Sequence, residues 1–189
     1  SNAFKHVQKS NLPSGTHVEV AEANITSNVG SHFFSNVFST TYDSYFLQIR
    51  AMRFAGDSTP QLRFLTDTGT TENSSAYHYW SYYGLDNSGD EKRGNGNGDT
   101  KLVLSTGTDA DSTSDGGLSG HIYFFNPRAN DSRSVVVTSQ FVTRDNVNNR
   151  MCAITGGGTL SNTAARYGFV IFGGQNIALL RATLYGIVK

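Results

Sequence analysis

The sequence predicts an all-β fold of antiparallel strands, more specifically a β-sandwich of jelly-roll-like character with long polar loops. Only 16% of the 189 residues are charged, whereas 37% are hydrophobic and 12% aromatic. Ser, Thr, Asn and 20 glycines supply most of the remaining polarity, a composition that favours strands and turns over helices. Apolar and polar residues alternate along many segments, and turn residues recur at intervals of roughly ten residues, as in sandwiches.

Each predicted strand is a short segment of alternating or continuously apolar residues that ends in turn-forming residues. In the segment 44–54, for example, Tyr45, Leu47 and Ile49 share one face and Gln48 lies on the other. Gly173-Gly174 is predicted to join the last two strands as a hairpin. The predicted strands are His17–Glu22, Ser44–Phe54, Gln61–Thr66, Ala76–Tyr83, Lys101–Leu104, Gly120–Phe125, Ser134–Thr143, Met151–Ile154, Tyr167–Phe172 and Asn176–Val188.

The chain is predicted to form one domain. Ser1-Asn2-Ala3 resembles the remnant of a cleaved expression tag, so residues 1–3 are set aside and residues 4–189 are assigned to a single β-sandwich domain. Residues 84–117 are rich in Gly, Asn, Asp and Ser and are predicted to form long loops, interrupted only by the short strand at 101–104.

The distribution of charge bears on possible partners. The formal net charge is zero, which argues against nucleic acid, and no apolar run is long enough for a transmembrane helix. Residues 84–117 contain seven acids and three bases, whereas residues 118–189 contain two acids and seven bases. The two regions are therefore either neighbours in the fold, the interpretation we favour, or complementary surfaces of different subunits.

No pattern of catalytic or metal-binding residues is present, so we expect no enzyme activity, no metal and no cofactor. The sequence lacks a Gly-x-Ser-x-Gly elbow, and the single cysteine, Cys152, has the apolar neighbours of a buried core residue. The five histidines are not spaced as zinc ligands. Asp109, Asp111 and Asp115 could ligate calcium, but the EF-hand pattern fails and an ordinary loop is the favoured interpretation.

An aromatic segment near the middle of the chain is the strongest candidate for a binding site. As a strand, it places tyrosines on one face and His78 with Trp80 and Tyr82 on the other. One face would belong to the core, and the other would present rings that can anchor a protein or stack on a sugar. Burial of both faces is an equally weighted alternative, and protein contact is favoured over sugar. The candidate residues are Tyr77, His78, Tyr79, Trp80, Tyr82 and Tyr83.

Several short motifs resemble a loose family of tailed-bacteriophage virion structural proteins. They are Tyr42-Asp43-Ser44-Tyr45, Leu62-Arg63 before the Asp67-Thr68-Gly69 turn, Leu118-Ser119-Gly120 with a strand ending in Asn126-Pro127, and the closing Leu184-Tyr185-Gly186. The resemblance covers roughly residues 40–189. It implies a β-sandwich component of a capsid appendage, tail or fibre, without catalytic residues or cofactor, that forms oligomers or docks on a symmetric particle.

The resemblance and the composition together give the expected function. We expect a non-catalytic virion protein that assembles with itself, as a homo-oligomer, or with other virion proteins, or that contacts the host surface. The alternative is a carbohydrate-binding module or lectin-like domain that recognises a host surface glycan through the aromatic segment. Nucleic-acid binding and membrane insertion are not expected.

Overall fold

A computed structural model describes residues 17–66, 78–105, 117–128, 135–145, 150–161 and 165–188. Within these ranges the chain forms eleven strands and no helix, and every strand pairing is antiparallel. The predicted all-β antiparallel class is therefore confirmed. The strands are β1 (His17–Ile25), β2 (Val29–Phe34), β3 (Ser44–Phe54), β4 (Gln61–Leu65), β5 (His78–Asp86), β6 (Glu91–Asp99), β7 (Leu102–Val103), β8 (Gly117–Phe125), β9 (Val135–Asp145), β10 (Arg150–Leu160) and β11 (Gly168–Ile187).

All eleven strands belong to one strongly curved sheet. The hydrogen-bonded order is β6-β5-β10-β9-β8-β3-β11-β4-β7, and β1 and β2 both pair with β11 in addition. At the two ends of this order, β7 contacts β5 and β6, so the sheet is nearly closed into a barrel. Curvature of this degree separates the side chains into an enclosed inner set and an outer set that faces solvent.

The longest strand, β11, changes its partners halfway along its length. Gly168–Phe172 pairs with β2 and β4, Ile177 pairs with β2 and β3, and Leu180–Ile187 pairs with β1 and β3. The hairpin predicted at Gly173-Gly174 is wrong, because both glycines lie inside this continuous strand. The Gly174 N–H donates to Ser58 Oγ at 2.7 Å, so the side chain of another segment satisfies the backbone where the ladder is interrupted. The glycines thus bend the strand instead of reversing it.

Two strands and one strand extension were not predicted. The sequence did not predict β2. β6 lies in the stretch predicted to be loops, because glycines occupy alternate positions at which apolar residues would have indicated a strand. β10 continues past the predicted strand Met151–Ile154 through the glycine triplet 156–158 to Leu160. A Cβ atom at Gly157 would lie 2.5 Å from the Val137 carbonyl oxygen, so glycine here permits close approach of the neighbouring strand.

The core is centred on stacked phenylalanines contributed by several strands. Phe124 and Phe169 are fully buried and their ring centroids lie 4.7 Å apart. Phe38, from the segment after β2, packs against both rings. The Tyr45, Leu47 and Ile49 face of β3 is buried as predicted, and Cys152 is a buried residue as its neighbours indicated. The face opposite this core is therefore the part of the sheet available to partners.

His32 on β2 makes stability dependent on pH. Burial lowers the pKa of this histidine from its ordinary value near 6.5, because its charged form loses hydration beside Phe34. The unfolded chain therefore binds a proton more readily, and stability should fall as pH decreases below about 6.5. Urea titrations between about pH 7.5 and 5 should show a smaller loss for His32→Gln than for the wild type. Equal losses would contradict this role of His32.

Candidate functional site

Four adjacent strands, β5, β10, β9 and β8, form the outer apolar face, which is turned away from the phenylalanine core. Side chains that lie directly opposite one another on paired antiparallel strands share a face, so the strand register gives its layout. Two neighbouring rows cross the four strands and supply most of its centre. The rows are Leu85–Ala153–Val142–Ser119 and Tyr83–Thr155–Gln140–His121.

Large apolar side chains are concentrated on this face. Among the residues that the structure describes, seven large apolar side chains are at least 39% exposed, and six of them lie here. The seventh is Phe33 of β2, elsewhere on the sheet. Scattered exposed apolar residues are normal, but six on three adjacent strands form a patch typical of an interaction site. The six are Tyr79, Tyr83, Leu85, Val136, Val142 and Met151.

The face is grooved rather than smooth. A groove of about 510 Å³ runs between Tyr83 and Leu85 on one side and Ser119 and His121 on the other, with Val142 in its floor. A shallower depression of about 420 Å³ continues along the same strands. Tyr79 and Val136 line this depression, and Gly157, which also lines it, has no side chain to fill it. Both depressions lie on β5, β9 and β10, and side chains of a partner could insert into them.

Charged residues border the apolar centre on both sides. On β6, Glu91 and Arg93 lie opposite Leu85 and Tyr83 and extend the two rows outward. On the other side, Arg50 Nη2 of β3 lies 2.7 Å from Glu22 Oε1 of β1, and this ion pair is half exposed. An apolar centre with a charged border is the usual organisation of a protein interface.

The structure divides the predicted aromatic segment between the two faces of β5. Tyr79 and Tyr83 point outward and belong to the outer apolar face, as the alternation predicted. His78 is fully buried: its ring is stacked parallel to Phe64, and Nδ1 lies 3.0 Å from the Asp99 carbonyl oxygen. Tyr77 lies outside the described residues. Of the described candidates, Tyr79 and Tyr83 therefore lie on the outer apolar face and His78 lies inside, and binding by the candidate residues stays a prediction.

Trp80 and Tyr82 lie on the other side of β5, where they cover the edge strand β6. Their rings are stacked with centroids 5.8 Å apart, and Trp80 Nε1 donates to Asp99 Oδ2 at 2.8 Å. A Cβ atom at Gly94 would lie 2.7 Å from the Tyr82 ring, so the glycines of β6 leave the space that these rings occupy. The two rings therefore bind β6 to β5 rather than presenting themselves on the outer apolar face.

A second group of aromatic rings extends this surface across β8, β3 and β11. Phe46 is half-buried at its centre, with Tyr123 at 4.9 Å, His121 at 5.6 Å and Tyr185 at 6.2 Å between ring centroids. His17 of β1 packs edge-on against Phe46 at 5.4 Å. Sequence analysis missed this cluster, although Phe46 alternates with Gln48 and could have been placed on the polar face of β3.

Comparison with known proteins gives no further guide to the site. No protein family, curated protein or solved structure matches the chain. Within the described ranges, no three His, Cys, Asp or Glu side chains are grouped so that they could hold a metal ion. The same ranges contain no helix that is long and apolar enough to cross a bilayer. Asp109, Asp111 and Asp115, for which an ordinary loop is favoured over a calcium site, lie outside the described residues.

Proposed function

We propose that this chain is a non-catalytic structural protein of a tailed-phage virion, which assembles on the particle by docking its outer apolar face. The observation that carries the proposal is the concentration of six exposed large apolar side chains on β5, β9 and β10. Water contact with such a face is unfavourable at roughly 25 cal/mol per Å² of apolar surface, and burial against a partner removes that contact. The short motifs that resemble those of virion proteins supply the setting, and the proposed partner is a second copy of the chain or another virion protein.

The surroundings of the face favour assembly over catalysis. The titratable side chains of its two rows are Tyr83 and His121, and the His121 ring packs against Phe46 and Tyr123. Glu91 lies beside Arg93 on the border. These side chains are suited to burial and pairing at an interface, not to paired acid–base chemistry.

We further propose that the curved sheet is a sandwich of two layers, with the jelly-roll-like order that the sequence predicts. The change of partners along β11 supports this arrangement, since a strand that leaves one pair of neighbours for another at a bend is typical of strands shared between two layers. The bend coincides with Gly173-Gly174 and the hydrogen bond from Gly174 N–H to Ser58 Oγ.

Mass spectrometry of purified particles tests the proposed setting. Particles from a lysate of the phage that encodes the chain should contain its peptides at a fixed copy number after density-gradient purification and a high-salt wash. A structural protein is expected to remain with the particle at a whole multiple of the order of a symmetry axis. Absence of the chain from washed particles would overturn the virion assignment.

A carbohydrate-binding role at the host surface is the second candidate, and Tyr79 and Tyr83 favour it. Both rings are exposed on the same face, and Tyr79 lines the shallow depression near Gly157, where a sugar ring could lie against it. Glycan-array binding that is lost in Tyr79→Ala and retained in Phe33→Ala would support this role.

A further inference from the structure

We propose that the partner seated on the outer apolar face is a second copy of this chain, related by a two-fold axis that crosses the strands between the Leu85 and Tyr83 rows. This inference rests on the docking surface assigned above and specifies its occupant. Sheets that pack face to face lie about 10 Å apart, with their strands within about 30° of alignment. A two-fold axis lets one surface serve both partners.

The border of the face carries charges of both signs, so it can pair with the same border of a second copy. Glu91 extends the Leu85 row and Arg93 extends the Tyr83 row on the same edge of the face. Rotation about the proposed axis exchanges the two rows, so Glu91 of each copy lies against Arg93 of the other. Two opposite-charge contacts form per dimer, and side chains of this length can span the spacing between packed sheets.

The same rotation matches the apolar and polar parts of the centre. Leu85 of one copy faces Tyr83 of the other, so the two exposed side chains of β5 cover each other. On β9, Val142 faces Gln140, whose aliphatic stem can lie across the groove. The zero net charge of the chain adds no long-range repulsion between copies.

The extent of the face suits a small dimer interface. About the proposed axis, β10 runs from Met151 to Gly157, about 20 Å, and the six strands from β6 to β3 span about 24 Å. Each copy would therefore contribute on the order of 500 Å², which brings the total to the roughly 1,000 Å² that a specific interface needs.

Paired charge reversals test this arrangement directly. Sedimentation equilibrium should show a dimer for the wild type, and Glu91→Arg and Arg93→Glu should each weaken it by about tenfold, because each creates two like-charge contacts per dimer. An equimolar mixture of the two variants should restore the wild-type dissociation constant to within about twofold, because opposite charges then face each other at both contacts. Restoration by mixing also shows that neither variant is misfolded.

Asp57→Arg is the matched control, since it makes the same charge change at an exposed position in the segment after β3, outside the two rows. It should leave the dissociation constant unchanged. A monomeric wild type would overturn the second copy as occupant, and so would a dimer that is unaffected by the reversals or is not restored by mixing. If the chain is monomeric but is recovered from washed particles, the dimer proposal fails and the virion proposal stands. If the chain is dimeric but is absent from particles, the virion proposal fails and the dimer proposal stands.

Discussion

Phe124→Ala is expected to lower the free energy of unfolding by about 3–5 kcal/mol, the range for truncating a fully buried phenylalanine. The ring is completely buried and packs against three others, Phe169 at 4.7 Å, Phe38 at 5.4 Å and Phe64 at 6.1 Å between centroids. These rings come from β11, from β4 and from the segment after β2. A cavity here would therefore loosen contacts between distant parts of the sheet.

Urea denaturation at neutral pH measures this loss. Phe33→Ala is the matched control, because it removes the same side chain from a position that is 44% exposed, and its cost should stay below about 1 kcal/mol. Similar costs for the two variants would contradict the placement of Phe124 at the centre of the core. A loss at Phe124 large enough to prevent folding can be resolved with the milder Phe124→Leu, expected to cost about 1–2 kcal/mol.

The core around Phe124 was largely predictable because alternation reports which face of a strand is buried. In β3, the alternation of Leu47 and Ile49 with Gln48 and Arg50 matches their burial. The same rule failed for β6, whose Gly94 and Gly96 replace the apolar side chains on which the pattern depends. Their small size is explained only by the rings of Tyr82 and Trp80 on the neighbouring strand, a tertiary contact that the local sequence does not record.

Glycine also misled the prediction at Gly173-Gly174. A glycine pair between two apolar segments usually marks a tight turn, because glycine adopts turn conformations at little cost. In β11 the pair instead permits the backbone to bend while the strand continues. The hydrogen bond from Gly174 to Ser58, 116 residues earlier in the chain, satisfies the interrupted ladder. Such long-range compensation cannot be read from the neighbouring residues.

The candidate site was predictable only in part, for a related reason. The outward orientation of Tyr79 and Tyr83 follows from alternation along one strand. The grouping of Leu85, Val142 and Met151 does not, because β10 lies between β5 and β9 in the sheet but follows both in the sequence. Residues more than fifty positions apart become neighbours through strand order and register, which alternation alone leaves undetermined.

Val142→Lys is expected to abolish docking while leaving the fold intact. Val142 is 48% exposed in the floor of the groove, so a lysine here remains hydrated in the isolated chain and should change the free energy of unfolding by less than about 1 kcal/mol. At an interface the ammonium group would be buried without a partner, at a cost of several kcal/mol. The dissociation constant should therefore rise by about 30-fold or more.

Phe33→Lys is the control that distinguishes loss of docking on the outer apolar face from a general effect of an added surface charge. It introduces the same charge at an apolar position of similar exposure, 44%, outside the outer apolar face. Sedimentation velocity for self-association, and recovery on washed particles for assembly with other virion proteins, should show a loss for Val142→Lys alone. Equal behaviour of the two variants in both measurements would show that exposed apolar area in general, not this face, governs association. Loss in both measurements at position 142 would instead place self-association and particle assembly on the same rows of side chains.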